Sequence, residues 1–196
     1  MKIIDSTVVS KSRFVTMVAV TYEDRRGHRK QWHMVSREAP PKCMTGRFDR
    51  PDAAIIVPYH RELDKLVVIK EFRVPLGGYQ YAFPAGLLDP DEDLAAAAGR
   101  ELLEETGLDL VRICRYSPPV FSSPGITDEA VAMVFAEVAG APDTRRNEAS
   151  EDIEVFLLDK HAVRDLLQRP DTRFGARAWL VMDAYARMGQ GYLTGG

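Results

Sequence analysis

A single run of strong helix formers interrupts a chain that otherwise reads as short strands, and it limits the possible folds more than any other feature. In AGLLDPDEDLAAAAGRELLEETGL, residues 85 to 108, the alanine and leucine density from 93 to 105 predicts a helix. Asp89 followed by Pro90 suits the N-cap and first turn, and Gly107 suits the position just past the C-cap. On the N-terminal side, AAIIVPY and KLVVIKEFRV read as buried strands joined by the turn RELD. On the C-terminal side, LVRICRY, EAVAMVFAEV and DIEVFLL read as strands again. Phe174, Ala178, Val181, Tyr185 and Met188 then recur at three- and four-residue intervals, the stripe of an amphipathic helix. Strands, one helix, strands and a last helix, without regular alternation, indicate a mixed α/β sandwich.

Upstream, FVTMVAVTY and KQWHMVS around a turn at Gly27 predict a β-hairpin. The proline- and charge-rich stretch REAPPKCMTGRFDRP follows. It either separates an N-terminal hairpin region, residues 1 to 50, from a main domain, 51 to 196, or is a surface loop. A chain of 196 residues has room for one full domain with such an appendage.

With 26 basic and 29 acidic residues the net charge is -3, which excludes a nucleic-acid groove or a polybasic membrane patch read from bulk charge. Cys43 and Cys114 lie far apart and follow no metal-ligand spacing. That fits a reducing compartment, with the cytoplasm as the default expectation. The N-terminus MKIIDSTVVSKSRF has no long apolar core, and no segment approaches the roughly 18 to 20 apolar residues of a membrane span.

The helix concentrates negative charge. Glu101 and Glu105 are one turn apart, roughly 6 Å of rise, and face the same way, with Glu104 beside both. Like charges at that spacing cost roughly a few tenths of a kcal/mol per pair, more if partly buried. A bound divalent cation reverses the sign. The oxygen-only set favours Mg²⁺ or Mn²⁺ over zinc, because His28, His33, His60 and His161 are scattered. Solvated helix faces also carry such pairs: Arg100 with Glu104 is an ordinary i,i+4 ion pair, and Asp89 with Glu92 has the spacing of a capping box.

The full spacing decides between these readings. Gly86, five residues, Glu92, seven residues, then Arg100, Glu101, Leu102, Glu104, Glu105, Gly107 and Leu108 resembles the Nudix box, G-x5-E-x7-R-E-U-x-E-E-x-G-U, at every specified position. The resemblance implies a Nudix hydrolase with a mixed β-sheet sandwiched between helices, cleaving a nucleoside diphosphate linked to another group. It also implies a metal held by Glu101, Glu105 and the Ala85 carbonyl, with Glu104 close by. Arg100 is then an orienting partner of the carboxylates.

The segment SPPVFSSPGITDE, with Pro124 sixteen residues beyond Leu108, resembles the ADP-ribose pyrophosphatase branch. EFRVPLGGYQYAFPAG and the GARAWLVMDAY helix agree with it. In relatives the N-terminal segment exchanges with a second subunit, so the resemblance implies a homodimer. Trp32 falls where some ADP-ribose hydrolases stack adenine on a tryptophan, and core packing or a dimer contact fits it equally. Arg73 suits paired hydrogen bonds to phosphate or is a surface arginine at a strand end. Glu129 suits a ribose hydroxyl or a metal, or is a solvated glutamate at a strand start.

In ADP-ribose-type relatives the general base is a glutamate in a loop after the box. The loop RRNEASEDIEV offers Glu148, Glu151 and Asp152. Glu151 matches best by its position just before DIEVFLL, Glu148 is second, and a plain solvated turn also fits three acids. The expected reaction is hydrolysis of ADP-ribose to AMP and ribose 5-phosphate. The rivals are a pyrophosphatase for GDP-mannose or UDP-glucose and a Nudix module that senses ADP-ribose without cleaving it. Intact box glutamates speak against the sensor.

Overall fold

Strand pairing in the computed structural model, which describes residues 1–195, sorts the chain into two compact units: Met1–Asp52 with Pro118–Val131, and Ala53–Ser117 with Ala132 onward. In the first unit β1 (Lys2–Lys11), β2 (Thr16–Glu23) and β3 (Arg29–Ser36) form an antiparallel sheet with β2 in the middle. The anticipated hairpin is therefore the β2–β3 half of a three-stranded sheet. β1 adds a strand that alternation did not reveal, because nearly all its residues are exposed and no apolar face repeats. The turn at 24–28 closes on the Asp24 carboxylate, which accepts the Arg26 and His28 backbone N–H groups at 2.8 and 3.0 Å.

Polar contacts bind the rest of this unit. After β3 comes α1 (Lys42–Thr45), a single turn inside the stretch read as a connector. Lys42 is buried, and its ammonium meets the Asp52 carboxylate at 2.7 Å. The same carboxylate accepts the Ala130 N–H at 2.8 Å. Asp128 accepts from the Ser36 hydroxyl at 3.0 Å and the Lys42 N–H at 2.8 Å. Buried charges survive only when paired and hydrogen-bonded, and these are.

The second unit contains β4 (Ala53–His60), β5 (Lys65–Arg73), β6 (Gly78–Ala82), β7 (Ala85–Leu87), α2 (Leu94–Thr106) and β8 (Asp109–Tyr116). The two-residue β9 (Val120–Phe121) pairs with the start of β10 (Ala130–Ala139) in the first unit, and β10 then runs on into the second. β11 (Ile153–Leu158), α3 (Lys160–Gln168), α4 (Ala176–Met188) and the short α5 (Gly191–Thr194) complete it. The sheet order is β11-β5-β4-β10-β8, with β6 beside β5 and β7 beside β4. Successive strand residues face opposite sides. Val57, Tyr59, Leu66, Val68 and Phe135 pack with α3, α4 and α5, whereas Ala54, Ile56, Val67, Val134, Ala136 and Val138 pack with α2. Helices thus cover both faces of one sheet, as expected.

Three helix details differ from expectation. The N-cap of α2 is Asp93, accepting the Ala96 N–H at 2.8 Å, not Asp89. Glu92 instead accepts the Asp89 N–H at 3.2 Å, so the capping-box geometry closes a turn ahead of the helix. On α4, Ala178, Val181 and Tyr185 are buried, but Phe174 precedes the helix and Met188 at its end is exposed. α3 was not anticipated; Asp159 caps it. No helix among the described residues is long and apolar enough to cross a membrane.

Candidate active site

The buried stripe of α2 changes chemistry along its length. Ala97, Ala98 and Leu102 are fully buried against the sheet, and the same face continues into Glu101 and Glu105, only 9 % and 5 % exposed. Burial penalises their charged forms. Glu105 is pushed up to about 8, chiefly by desolvation. The Ala85 N–H, donating to its Oε2 at 3.1 Å, works in the opposite sense, and Glu71, Glu101 and Glu151 add repulsion. Glu101 is also raised by desolvation; the adjacent guanidinium opposes this, while Glu104 and Glu151 reinforce it.

That guanidinium is Arg100. It donates to Glu101 at 2.7 Å, to Glu104 at 3.2 Å, to both oxygens of Glu92 at 2.9 and 2.8 Å, and to the Leu87 carbonyl at 3.1 Å. Glu92 is held at about 2 by this fork. Gly86 explains how the helix comes so close to β7. A Cβ there would lie 1.9 Å from the Glu101 carboxylate carbon, so any side chain at 86 would displace the acid from this position. At the far end Gly107 takes a left-handed φ of 72°, and a Cβ on it would meet Asp143 at 2.6 Å.

The loop from 140 to 152 is tied to that end of α2. The Asp143 N–H donates to the Thr106 carbonyl at 2.8 Å, and the Asn147 side-chain amide lies 3.0 Å from the Glu104 carbonyl. Of its three acids beyond Asp143, Glu151 bears electrostatically on both Glu101 and Glu105 while its carboxylate accepts the Glu148 N–H at 2.8 Å. Glu148 is exposed, with the Ser150 hydroxyl at 3.4 Å. Asp152 is bound by the Tyr79 hydroxyl.

On β5 the side chain of Arg73 is half-exposed and pairs with Glu71 at 2.8 Å. Glu71 was not foreseen, although Val67, Ile69 and Glu71 alternate on one face and Val67 is buried with α2. A charged residue continuing an inward-facing strand series was the available signal.

Three other candidates belong to the first unit. Trp32, half-exposed, donates its indole N–H to the Gly125 carbonyl at 3.1 Å. With Pro124, Tyr22, Met34 and Cys43 it lines an apolar cavity of about 310 Å³. Glu129 is engaged by Arg37, whose Nε and Nη2 both reach Oε1 at 2.9 Å.

The donor chemistry of the α2 site fits a hard divalent cation: oxygen atoms alone, on carboxylates whose mutual repulsion burial intensifies, in a recess only glycine permits. Among the described residues no three His, Cys, Asp or Glu side chains stand grouped as a ready cage, because Arg100 and the Ala85 N–H hold the acids.

The NUDIX domain family model matches residues 49–180. The chain belongs to the NUDIX family. This Nudix protein is 31 % identical over 179 residues to an ADP-ribose pyrophosphatase of Saccharomyces cerevisiae, covering 87 % of this chain and 76 % of the relative. It is 32 % identical over 187 residues to an ADP-sugar pyrophosphatase of Mus musculus, covering 90 % and 80 %. A crystal structure of an ADP compounds hydrolase superposes with a TM-score of 0.73 at 25 % identity, covering 97 % and 96 %. Membership makes the protein an enzyme of the Nudix hydrolase class, typically dependent on a divalent metal.

Proposed function

We propose that this enzyme hydrolyses the diphosphate bond of ADP-ribose, releasing AMP and ribose 5-phosphate, with Mg²⁺ or Mn²⁺ as the cation. The observation that carries this reading is the pair of buried acids on α2, Glu101 and Glu105, in a recess that Gly86 alone leaves open. It is supported by similarity, over most of the chain, to proteins named for ADP-ribose and ADP-sugar cleavage.

Glu101, Glu105 and the Ala85 carbonyl would hold the cation, with Glu104 beside them. Bound there, it supplies charge neutralisation on the diphosphate oxygens and acidifies a nearby water. Arg100 holds Glu101 and Glu104 in orientation through contacts of 2.7 and 3.2 Å. Glu151 accepts the water's proton; its influence on both buried acids supports choosing it over Glu148 and Asp152. Arg73 grips a phosphate oxygen with the N–H groups that Glu71 leaves over. In the first unit the face of Trp32, backed by Pro124, offers a stacking surface for the adenine. Glu129 meets a ribose hydroxyl through its carboxylate. The exposed Val8, Val9 and Phe14 support a homodimer formed through this unit, which sedimentation would detect.

A GDP-mannose pyrophosphatase of Citrobacter koseri, 31 % identical over 145 residues, keeps that substrate as the second reading. Turnover of ADP-ribose, GDP-mannose and UDP-glucose with Mg²⁺ decides. The highest kcat/KM is expected for ADP-ribose with AMP as product. A higher value for GDP-mannose would replace the assignment, and no turnover of any of the three would favour a sensor.

A further inference from the structure

Glu71 bears on the buried acid Glu105 of α2 although neither the box nor the loop supplies it. It lies on β5 directly opposite Gln80 of β6, is only 5 % exposed, and continues the strand face that carries Val67 and Ile69. Its two oxygens serve different partners: Oε1 accepts the Gln80 amide at 3.0 Å, and Oε2 forms an ion pair with Arg73 Nη2 at 2.8 Å. Arg73 lies two residues further along the same face, with half of its side chain in solvent. Its Nε and Nη1 have no partner among the described residues.

We propose that Glu71 is a positioning residue: it pins one edge of the Arg73 guanidinium so that the remaining N–H groups meet a diphosphate already oriented. This rests on the reading of Arg73 as the phosphate grip.

A purely structural role does not account for an acid at this position. Apolar side chains at 67 and 69 fill the same strand face. An ion pair with a half-exposed member adds little stability by itself. The carboxylate also adds repulsion to Glu105. What the acid provides is direction. A guanidinium carries five N–H donors in a rigid plane on a flexible stem with large rotamer entropy, so fixing one edge orients the others and removes ordering that binding would otherwise require.

The experiment compares Glu71→Gln, Glu71→Met, Arg73→Ala and the Glu71→Gln/Arg73→Ala double variant in the full chain. Readouts are ADP-ribose kinetics with Mg²⁺, melting temperature, and the arginine side-chain ¹⁵N spectrum. Glu71→Gln is expected to raise KM about tenfold, with kcat changed by less than about threefold; a tenfold change corresponds to about 1.4 kcal/mol. In the Arg73→Ala background the same change should move KM by less than about twofold. Glu71→Met should show the same KM rise, and its melting temperature reads separately what the fold loses with the Gln80 and Arg73 contacts. The distinct Arg73 side-chain signal of the wild type should collapse in both Glu71 variants. Equal KM effects with and without Arg73, or an Arg73 signal indifferent to residue 71, would overturn the proposal. If the wild type does not cleave ADP-ribose, the substrate reading fails by itself, and the Arg73 signal still decides the role of Glu71.

Discussion

The two units place their unusual residues in opposite environments. In the second, ionisable groups are driven into a well-packed sandwich: Glu71, Glu101 and Glu105 are all nearly buried beside two large apolar clusters. In the first, large apolar groups face outward, among them Phe14, Val8, Val9 and Trp32, while the interior is secured by a buried lysine and two aspartates. Chemistry needs carboxylates whose orientation survives repulsion, and only a densely packed frame supplies that. Recognition of a flat ring or of another protein surface needs apolar area left accessible.

The contrast can be broken at either end. The largest effect is expected from Lys42→Ala, which strands Asp52 without its ammonium. Removing one member of a buried pair typically costs about 3–5 kcal/mol, read from urea denaturation. A loss below about 1 kcal/mol would show that apolar contacts, not this pair, secure the first unit. Glu105→Gln should come next, lowering kcat/KM by about 10²–10³-fold, the scale of losing one charge-stabilising group. Its melting temperature should hold or rise, because a neutral amide escapes the desolvation that pushes Glu105 up to about 8. Retained turnover would remove the acid from the site.

Gly86→Ala sharpens the comparison further. The new methyl group would overlap the Glu101 carboxylate, so a cost of about 1–3 kcal/mol and a loss of turnover are expected. Gly99→Ala on the same helix, with nothing within 4 Å, should instead add up to about 1 kcal/mol. The smallest change belongs to Trp32→Ala: KM up about tenfold, within the range of one lost base stack, with kcat and the denaturation midpoint nearly constant. A fall in stability instead would make Trp32 a packing residue of the first unit.

Much of the second unit could be read in advance, because its strands and α2 bury one residue type in a regular period. Leu102 and Ala98 mark the helix face, and Val57 and Val68 mark the strands. β1 escaped because its residues are mostly exposed, and α3 because only Val163 and Leu166 of its residues are buried. The cap fell on Asp93 instead of Asp89 because two aspartates compete locally. Glu92 is drawn to Arg100, which leaves the first aspartate to a preceding turn. At the site, fixed spacing exposed Glu101, Glu104, Glu105 and Arg100. Glu71 stayed hidden because its meaning lies in cross-strand partners, Gln80 and the side chain of Arg73, that no linear interval announces.

The crowded acids around Glu105 carry one practical corollary. Ligand-free, this protein is electrostatically frustrated, and anything that relieves the frustration in the folded state alone must stabilise it by mass action. If a cation sits among these acids as proposed, heating in graded magnesium or manganese ranks cations by affinity before any nucleotide is supplied, and a chelated preparation melts first.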